Sequence, residues 1–267
     1  MEDCIKDYYD NNVENEWKRL DNPYSRIEFI STMYMIKKYF PVAGKVLDIG
    51  CGPGRYSIEL LKKGFNVTLM DLSSKSIYFA KAKIESLGFF ADNYICGDAN
   101  YLDAEEDNKY DCILLMGPMY HIQSKEMRVD ILKQCKRILK NNGLILITYI
   151  NSIGILKDKI AQFSQEFNNI DDIYRALDEE SYLLNNNLWL TTPDIVIDEI
   201  KISGFKLVNY AGAESFLSGQ WYSMTKYFLE NKRIYINLLK AATSKCEDPR
   251  FRDGAEHLIV VAKKESL

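Results

Sequence analysis

Lys45-Val46-Leu47-Asp48-Ile49-Gly50-Cys51-Gly52-Pro53-Gly54-Arg55-Tyr56 is the stretch on which the reading of the chain turns. A short apolar run carrying an acid gives way to a glycine-rich turn, and the turn to a helical pattern, Ser57-Ile58-Glu59-Leu60-Leu61. Strand, tight loop and helix in that order open a doubly wound α/β domain. Glycines at 50, 52 and 54 let the backbone turn sharply and approach a ligand with no Cβ in the way. The spacing is Gly-x-Gly-x-Gly. Arg55 falls where the last glycine of a Gly-x-Gly-x-x-Gly dinucleotide loop would stand, which disfavours a nicotinamide-dependent dehydrogenase.

Working outward, a second strand at 66–70 ends in Asp71, about 20 residues past the glycine loop. That is where a ribose-binding carboxylate belongs, because its two oxygens can accept from both ribose hydroxyls. The alternative is a turn acid beside the helix-capping Ser73 and Ser74. Ile77, Ala80, Ile84 and Leu87 then outline one helix face, closed by Gly88. A third strand at 94–96 runs into Gly97-Asp98-Ala99, and a fourth at 111–116 into Gly117-Pro118-Met119-Tyr120-His121-Ile122. Ligands of open α/β sheets lie beyond the carboxyl ends of the strands, so both segments face the ligand. Ser124 caps a helix that stops at Asn142-Gly143, before a fifth strand at 144–150. Residues 151–190 read as one or two helices rich in aromatics. Thr192-Pro193-Asp194 starts another helix, a sixth strand follows at 205–210, 211–255 form a second insertion, and 257–262 are the last strand.

The composition bounds the partners. The chain has 267 residues and a net charge of −4, with Lys-Lys pairs scattered at 37–38, 62–63 and 263–264. No clustered basic track for nucleic acid is present. The six cysteines include no Cys-x-x-Cys pair, and with two histidines no metal centre is expected. The N-terminus is acidic without an apolar signal region, and no apolar run is long enough to span a membrane, so a cytoplasmic setting is the default. Residues 1–40 read as a helical arm too short to be its own domain.

Asp48 with the glycine loop resembles motif I of the class I S-adenosylmethionine (SAM)-dependent methyltransferases, and the order of strands and helices resembles their core over about 40–150 and 192–263. The resemblance implies a Rossmann-like, seven-stranded sheet, mostly parallel with an antiparallel last strand. The core would then be 41–150 and 191–267. Helical cap insertions at 151–190 and 211–255 would leave the sheet at its ligand face and close over the active site, joined by the N-terminal arm. Tyr8-Tyr9-Asp10, Glu16-Trp17-Lys18-Arg19-Leu20, residues 52–56 and 117–122, and Glu256-His257-Leu258 resemble one bacterial group of small-molecule methyltransferases.

Residue by residue, the resemblance implies that Gly50, Gly52 and Gly54 wrap the methionine part and ribose of SAM. Asp48 would order that loop and reach the amino group. Asp71 would hold the ribose and Leu72 lie on the adenine. Asp98 and the Ala99 amide would read the adenine edge, and the backbone near Met116 would meet the methionine amino group. Arg55 meets either the carboxylate or solvent. The products would be S-adenosylhomocysteine (SAH) and a small molecule methylated on oxygen or nitrogen. The family's Asn/Asp-Pro-Pro-Tyr/Phe motif, used on bases and glutamine, is absent at 116–120.

SAM brings an activated methyl group, so the protein needs to align the reactants and exclude water. For an acceptor carrying a proton a base helps, and His121, just past the fourth strand, is the candidate. The alternative is a packing histidine. Tyr120 would position substrate or close over SAM, and His257 is a weaker second candidate. A SAM-binding module without catalysis is the remaining reading.

Overall fold

The computed structural model describes residues 2–162, 168–177, 181–183 and 188–266. Two helices come first, α1 (Glu2–Arg19) and α2 (Arg26–Tyr39). The alternation then starts with β1 (Lys45–Ile49), α3 (Arg55–Lys62), β2 (Asn66–Asp71), α4 (Ser74–Ser86) and β3 (Asn93–Cys96). β4 (Tyr110–Leu115) passes through a 3₁₀ turn (Pro118–His121) into α5 (Lys125–Ile138) and β5 (Leu139–Asn151). α6 (Ser152–Gln162), α7 (Ile170–Leu177), β6 (Ser181–Leu183) and β7 (Leu188–Thr191) follow. α8 (Pro193–Ile202), β8 (Lys206–Gly212), α9 (Trp221–Glu230), α10 (Lys232–Ser244), α11 (Pro249–Arg252) and β9 (His257–Lys263) complete the chain.

The seven expected strands are all present and form one sheet in the order β3-β2-β1-β4-β5-β9-β8. The first five are parallel, and β9 lies antiparallel to both β5 and β8. Alternate residues feed opposite faces, as the strand period of two requires. Leu47, Ile49, Ile113, Leu115, Ile145 and Ile147 pack on one side. Val46, Cys112, Leu114, Leu146, Ile259 and Val261 pack on the other. The strand order reverses between β1 and β4, where Ile49 pairs with Leu115. A ligand crevice opens at such a switch point, beyond the strands' carboxyl ends.

Two segments differ from the sequence reading. Residues 151–190, expected to be helical throughout, also carry the hairpin β6–β7. β4 stops level with Ile147, and β7 pairs with Ile150 and Asn151 further along β5, taking the edge left vacant. Leu188-Trp189-Leu190-Thr191 suits that place because it is short, apolar and aromatic. Helix α5 ends at Ile138 rather than near Asn142, since the chain is already extended at Leu139.

The 211–255 insertion packs beside α2, not over the crevice. Tyr24 and Ile27 of the N-terminal arm form a satellite core with Leu217, Met224, Tyr235, Leu239 and Ala242. Tyr235 Oη donates to the Pro23 carbonyl at 2.8 Å. Cys51, Cys112, Cys135 and Cys246 are buried as thiols. No described helix is long and apolar enough to cross a membrane.

Candidate functional site

A cavity of about 480 Å³ opens at the switch point. Its floor is the glycine loop. Gly50 takes φ +74°, and a Cβ there would lie 2.5 Å from the Met116 carbonyl oxygen and 2.6 Å from Pro118 Cδ, so only glycine fits between β1 and the chain leaving β4. Gly52 takes φ +51°, and a Cβ there would meet nothing within 4 Å. Its backbone therefore faces open space. Gly54, also left-handed, would bring a Cβ within 3.0 Å of Ala80 Cβ on α4. It is a helix-packing glycine and does not line the cavity.

The acids divide in the same way. Asp71 lines the cavity, and its two oxygens accept from the Gly52 amide at 2.7 Å and the Ser73 amide at 2.8 Å. Burial pushes its carboxyl up to about 6, against the pull of those two amides. Leu72, Asp98, Ala99 and Met116 also line the wall. Asp98 accepts from the backbone and side-chain nitrogens of Asn100 at 2.8 and 2.9 Å, an Asx turn that displays the loop after β3. Asp48 is 1% exposed and stands behind the loop, accepting from Ser57 Oγ at 2.6 Å. Burial raises it to about 7. Asp48 thus supports the loop from behind, and neither it nor Gly54 lines the cavity.

The cavity is covered by α1. Ile5, Tyr9, Glu16, Arg19 and Leu20 all line it, whereas none of the described residues of 151–190 or 211–255 does. The roof expected from the two insertions is supplied by the arm alone among the described residues. The topology explains this: β7 and the α9–α10 pair emerge beside β5 and α2, while α1 is laid across the mouth by a set of tethers. Arg55 lines the cavity and donates to both oxygens of Asp21 at 3.0 and 2.9 Å and to the Trp17 carbonyl at 3.0 Å. Its guanidinium stacks on the Trp17 ring at 4.8 Å. Asp10 accepts from Ser73 Oγ at 2.6 Å. Tyr9 Oη is 2.8 Å from His121 Nε2. Tyr120 and His121 both face the cavity, their rings 4.9 Å apart. Burial raises the phenols of Tyr9 and Tyr120 above their usual range, so both stay protonated at neutral pH.

Sequence reasoning missed the cation on this wall. Arg19 lines the cavity and clasps Glu28 of α2 with both terminal nitrogens, at 2.5 and 3.0 Å, with Glu16 at 3.3 Å from Nε. The signal was in hand as Glu16-Trp17-Lys18-Arg19-Leu20, but helical spacing alone does not say which face meets the sheet. The fold also gathers a compact His/carboxylate cluster that the sequence spacing does not show. Glu214, Glu256 and His257 bring ligand-type atoms within 4.8 Å of one another. Their atoms are engaged already: His257 Nδ1 lies 2.7 Å from Glu214, which also accepts the Glu256 and His257 amides at 3.0 Å, and Glu256 accepts from Tyr24 Oη.

A family model described as a methyltransferase domain matches residues 46–143. An uncharacterized protein of Methanocaldococcus jannaschii is 26% identical over 266 residues, 98% of this chain and 99% of its own length. A ubiquinone biosynthesis O-methyltransferase of Pasteurella multocida is 32% identical over 115 residues, 40% of this chain and 46% of the relative. Apart from the archaeal protein, the chain spans about half the length of the first curated relatives it matches. Among solved structures, a SAM-dependent methyltransferase of Methanosarcina mazei superposes with a TM-score of 0.57 at 17% identity, over 87% of this chain and 98% of that one. Residues 46–143 thus carry a methyltransferase domain, within the fold shared by SAM-dependent methyltransferases. Another protein of similar fold is the 1,6-didemethyltoxoflavin-N1-methyltransferase of Burkholderia thailandensis, solved with 1,6-didemethyltoxoflavin and SAH bound. It has a TM-score of 0.59 at 13% identity, over 98% of this chain and 88% of that one.

The residues present fit the methyltransferase cofactor. The Gly52 backbone offers a cradle that a Cβ would fill, the Asp71 carboxylate stands next to it, and Leu72 with Ala99 makes an apolar slot between two loops.

Proposed function

We propose that this methyltransferase moves a methyl group to an oxygen or nitrogen of an uncharged small molecule held under α1. The observation that carries the reading is the open space over Gly52, with Asp71 beside it and the Arg19 guanidinium on the same cavity wall. Bound SAM supplies a methyl group on a sulfonium, already activated for transfer. Asp71 would take the ribose hydroxyls, Leu72 and Ala99 the adenine faces, Asp98 and the Ala99 amide its edge. Arg19 would take the methionine carboxylate.

The acceptor side then falls to Tyr9, Tyr120 and His121. In the tautomer whose His121 Nε2 accepts from Tyr9 Oη, a proton leaving the acceptor passes to the Tyr9 oxygen as the Tyr9 proton moves to the imidazole. The phenol itself stays neutral before and after. Of the arginines on the cavity wall among the described residues, Arg19 is taken up by the methionine carboxylate in this reading and Arg55 is already paired with Asp21. An anionic acceptor would find no spare positive charge, which favours a neutral one. The cover of α1 excludes water from the reacting atoms.

The test is turnover of radiolabelled SAM against a library of phenols, hydroxylated heterocycles and amines, with calorimetry for SAH. Label transfer to a neutral acceptor supports the reading. SAH binding without transfer to any acceptor would favour a non-catalytic SAM-binding protein, and preference for carboxylated acceptors would overturn the charge argument.

A further inference from the structure

Arg19 is held by a chain of buried charges that runs away from the cavity to the far side of α2. Its two terminal nitrogens clasp the carboxylate of Glu28, which is 7% exposed. A carboxylate taken in this two-pronged way uses one N–H on each nitrogen and leaves the second on each for the cavity that Arg19 lines. The Glu28 oxygen bonded to Arg19 Nη1 is also 3.9 Å from His257 Nε2. The other ring nitrogen of His257 is 2.7 Å from Glu214, whose remaining oxygen is fixed by two backbone amides at the start of β9. The order is therefore β9 backbone, Glu214, His257, Glu28, Arg19, cavity.

The chain has a physical purpose. Arg19 stands at the end of a helix laid over the mouth of the site, and a long side chain there has many rotamers. It also has two carboxylates to choose from, Glu28 on α2 and Glu16 on its own helix. A guanidinium that swung to Glu16 would follow α1 and lose its register with the sheet. Positive charge on His257 offsets part of the Glu28 charge, so that Glu28 orients Arg19 without cancelling its attraction for an incoming anion.

We propose that Glu28 and His257 are positioning residues that aim the Arg19 guanidinium at the carboxylate of the cofactor's methionine. Neither touches the reacting atoms; both act through Arg19. The inference rests on the cofactor reading above, and the experiment separates the two. The affinity of the full chain is measured by calorimetry for SAH and for 5′-methylthioadenosine, which keeps the adenosine and the thioether but lacks the amino-acid end.

Arg19→Gln, Glu28→Gln and His257→Gln should each weaken SAH roughly tenfold or more while leaving methylthioadenosine within about twofold, and the double variant Glu28→Gln/His257→Gln should lose less than the product of the single losses. Glu28→Gln is the decisive variant. It keeps the shape of the side chain and leaves Arg19 more positive, so an effect of charge alone would tighten SAH, and tightening overturns the proposal. Equal losses for both ligands in Glu28→Gln and His257→Gln would make the pair merely structural and overturn it as well. Loss of acceptor KM with SAH unchanged in Arg19→Gln would give the guanidinium to the acceptor instead and overturn it. A wild-type chain that binds neither ligand would overturn the cofactor reading, and this proposal with it. Should His257→Gln fail to fold, judged by its loss of methylthioadenosine binding, Glu28→Gln alone decides.

Discussion

Single residues on the cavity wall divide into those that meet a ligand and those that hold the wall. Gly52→Val is the sharpest probe of that division. At φ +51° a branched side chain is strained, by about 1–3 kcal/mol, and its Cβ enters the open space. The variant should melt lower than wild type yet fold, and should bind SAH too weakly for calorimetry; undiminished binding would remove the loop from the site. Asp71→Ala should cost roughly 1.5–3 kcal/mol of SAH affinity for each charged hydrogen bond lost. Because the Asp71 carboxyl ionises near 6, SAH affinity in the wild type should fall as pH drops below about 6, and Asp71→Ala should flatten that profile. His121→Ala should lower turnover by about two to four decades with SAH affinity nearly intact, and Tyr9→Phe should share most of the loss if the phenol carries the proton. A Tyr9→Phe variant of undiminished turnover would leave Tyr9 as a tether only. The loop and Asp71 were legible in the sequence because backbone freedom and an acid at a strand end are local properties. Arg19 and the role of Arg55 were not, since each depends on which face of α1 meets the sheet.

At the scale of elements, α1 is the part that must move. Its residues cover the cavity, and it is bent at Asn12, where φ −122° and ψ 18° break the helix. Its polar tethers are Arg55 to the Trp17 carbonyl and to Asp21 just past its end, Asp10 to Ser73, Tyr9 to His121 and Arg19 to Glu28, beside the packing of Trp17 on Phe79. Elements held in this way draw on the low-stability end of a fold. Arg55→Ala removes a two-pronged ion pair and the stacking on Trp17. Amide exchange in residues 2–19 should quicken in that variant by about tenfold, with β1 and β4 unchanged, and SAH should slow it again. Exchange in α1 that ignores both the substitution and SAH would mean that the arm is not a lid. The alternation of strand and helix was readable from periodicity, as was the stop at each glycine. The hairpin β6–β7 was not, because a four-residue strand in an aromatic-rich stretch looks like a helix turn until the vacant edge of β5 is known.

Over the whole molecule, three buried groups with raised pKa values make stability fall as pH rises. His257 meets Glu28 from α2, Glu214 and its own neighbour Glu256, with Asp158 of α6 at longer range. Burial alone would lower its pKa, but the carboxylates win and push it up to about 9 from 6.5. Asp48 and Glu256 are likewise raised, to about 7 and about 8, by burial. In each case the folded chain holds a proton that the unfolded chain has released, so stability falls as pH rises through the interval. For His257 the contribution is complete below about 6.5 and is lost as pH climbs through about 9, amounting to on the order of 3 kcal/mol. Denaturant midpoints at pH 6.5 and 9 should therefore differ, with the alkaline value lower. His257→Gln should be less stable than wild type at pH 6.5 and should approach it at pH 9, where about half of the wild-type imidazolium has given up its proton and most of the stabilisation is lost. The shrinking gap is the signature, because loss of packing alone would leave the two proteins equally far apart at both pH values. A constant gap would mean that His257 is held neutral, and that the carboxylates around it share their charge with Arg19 alone.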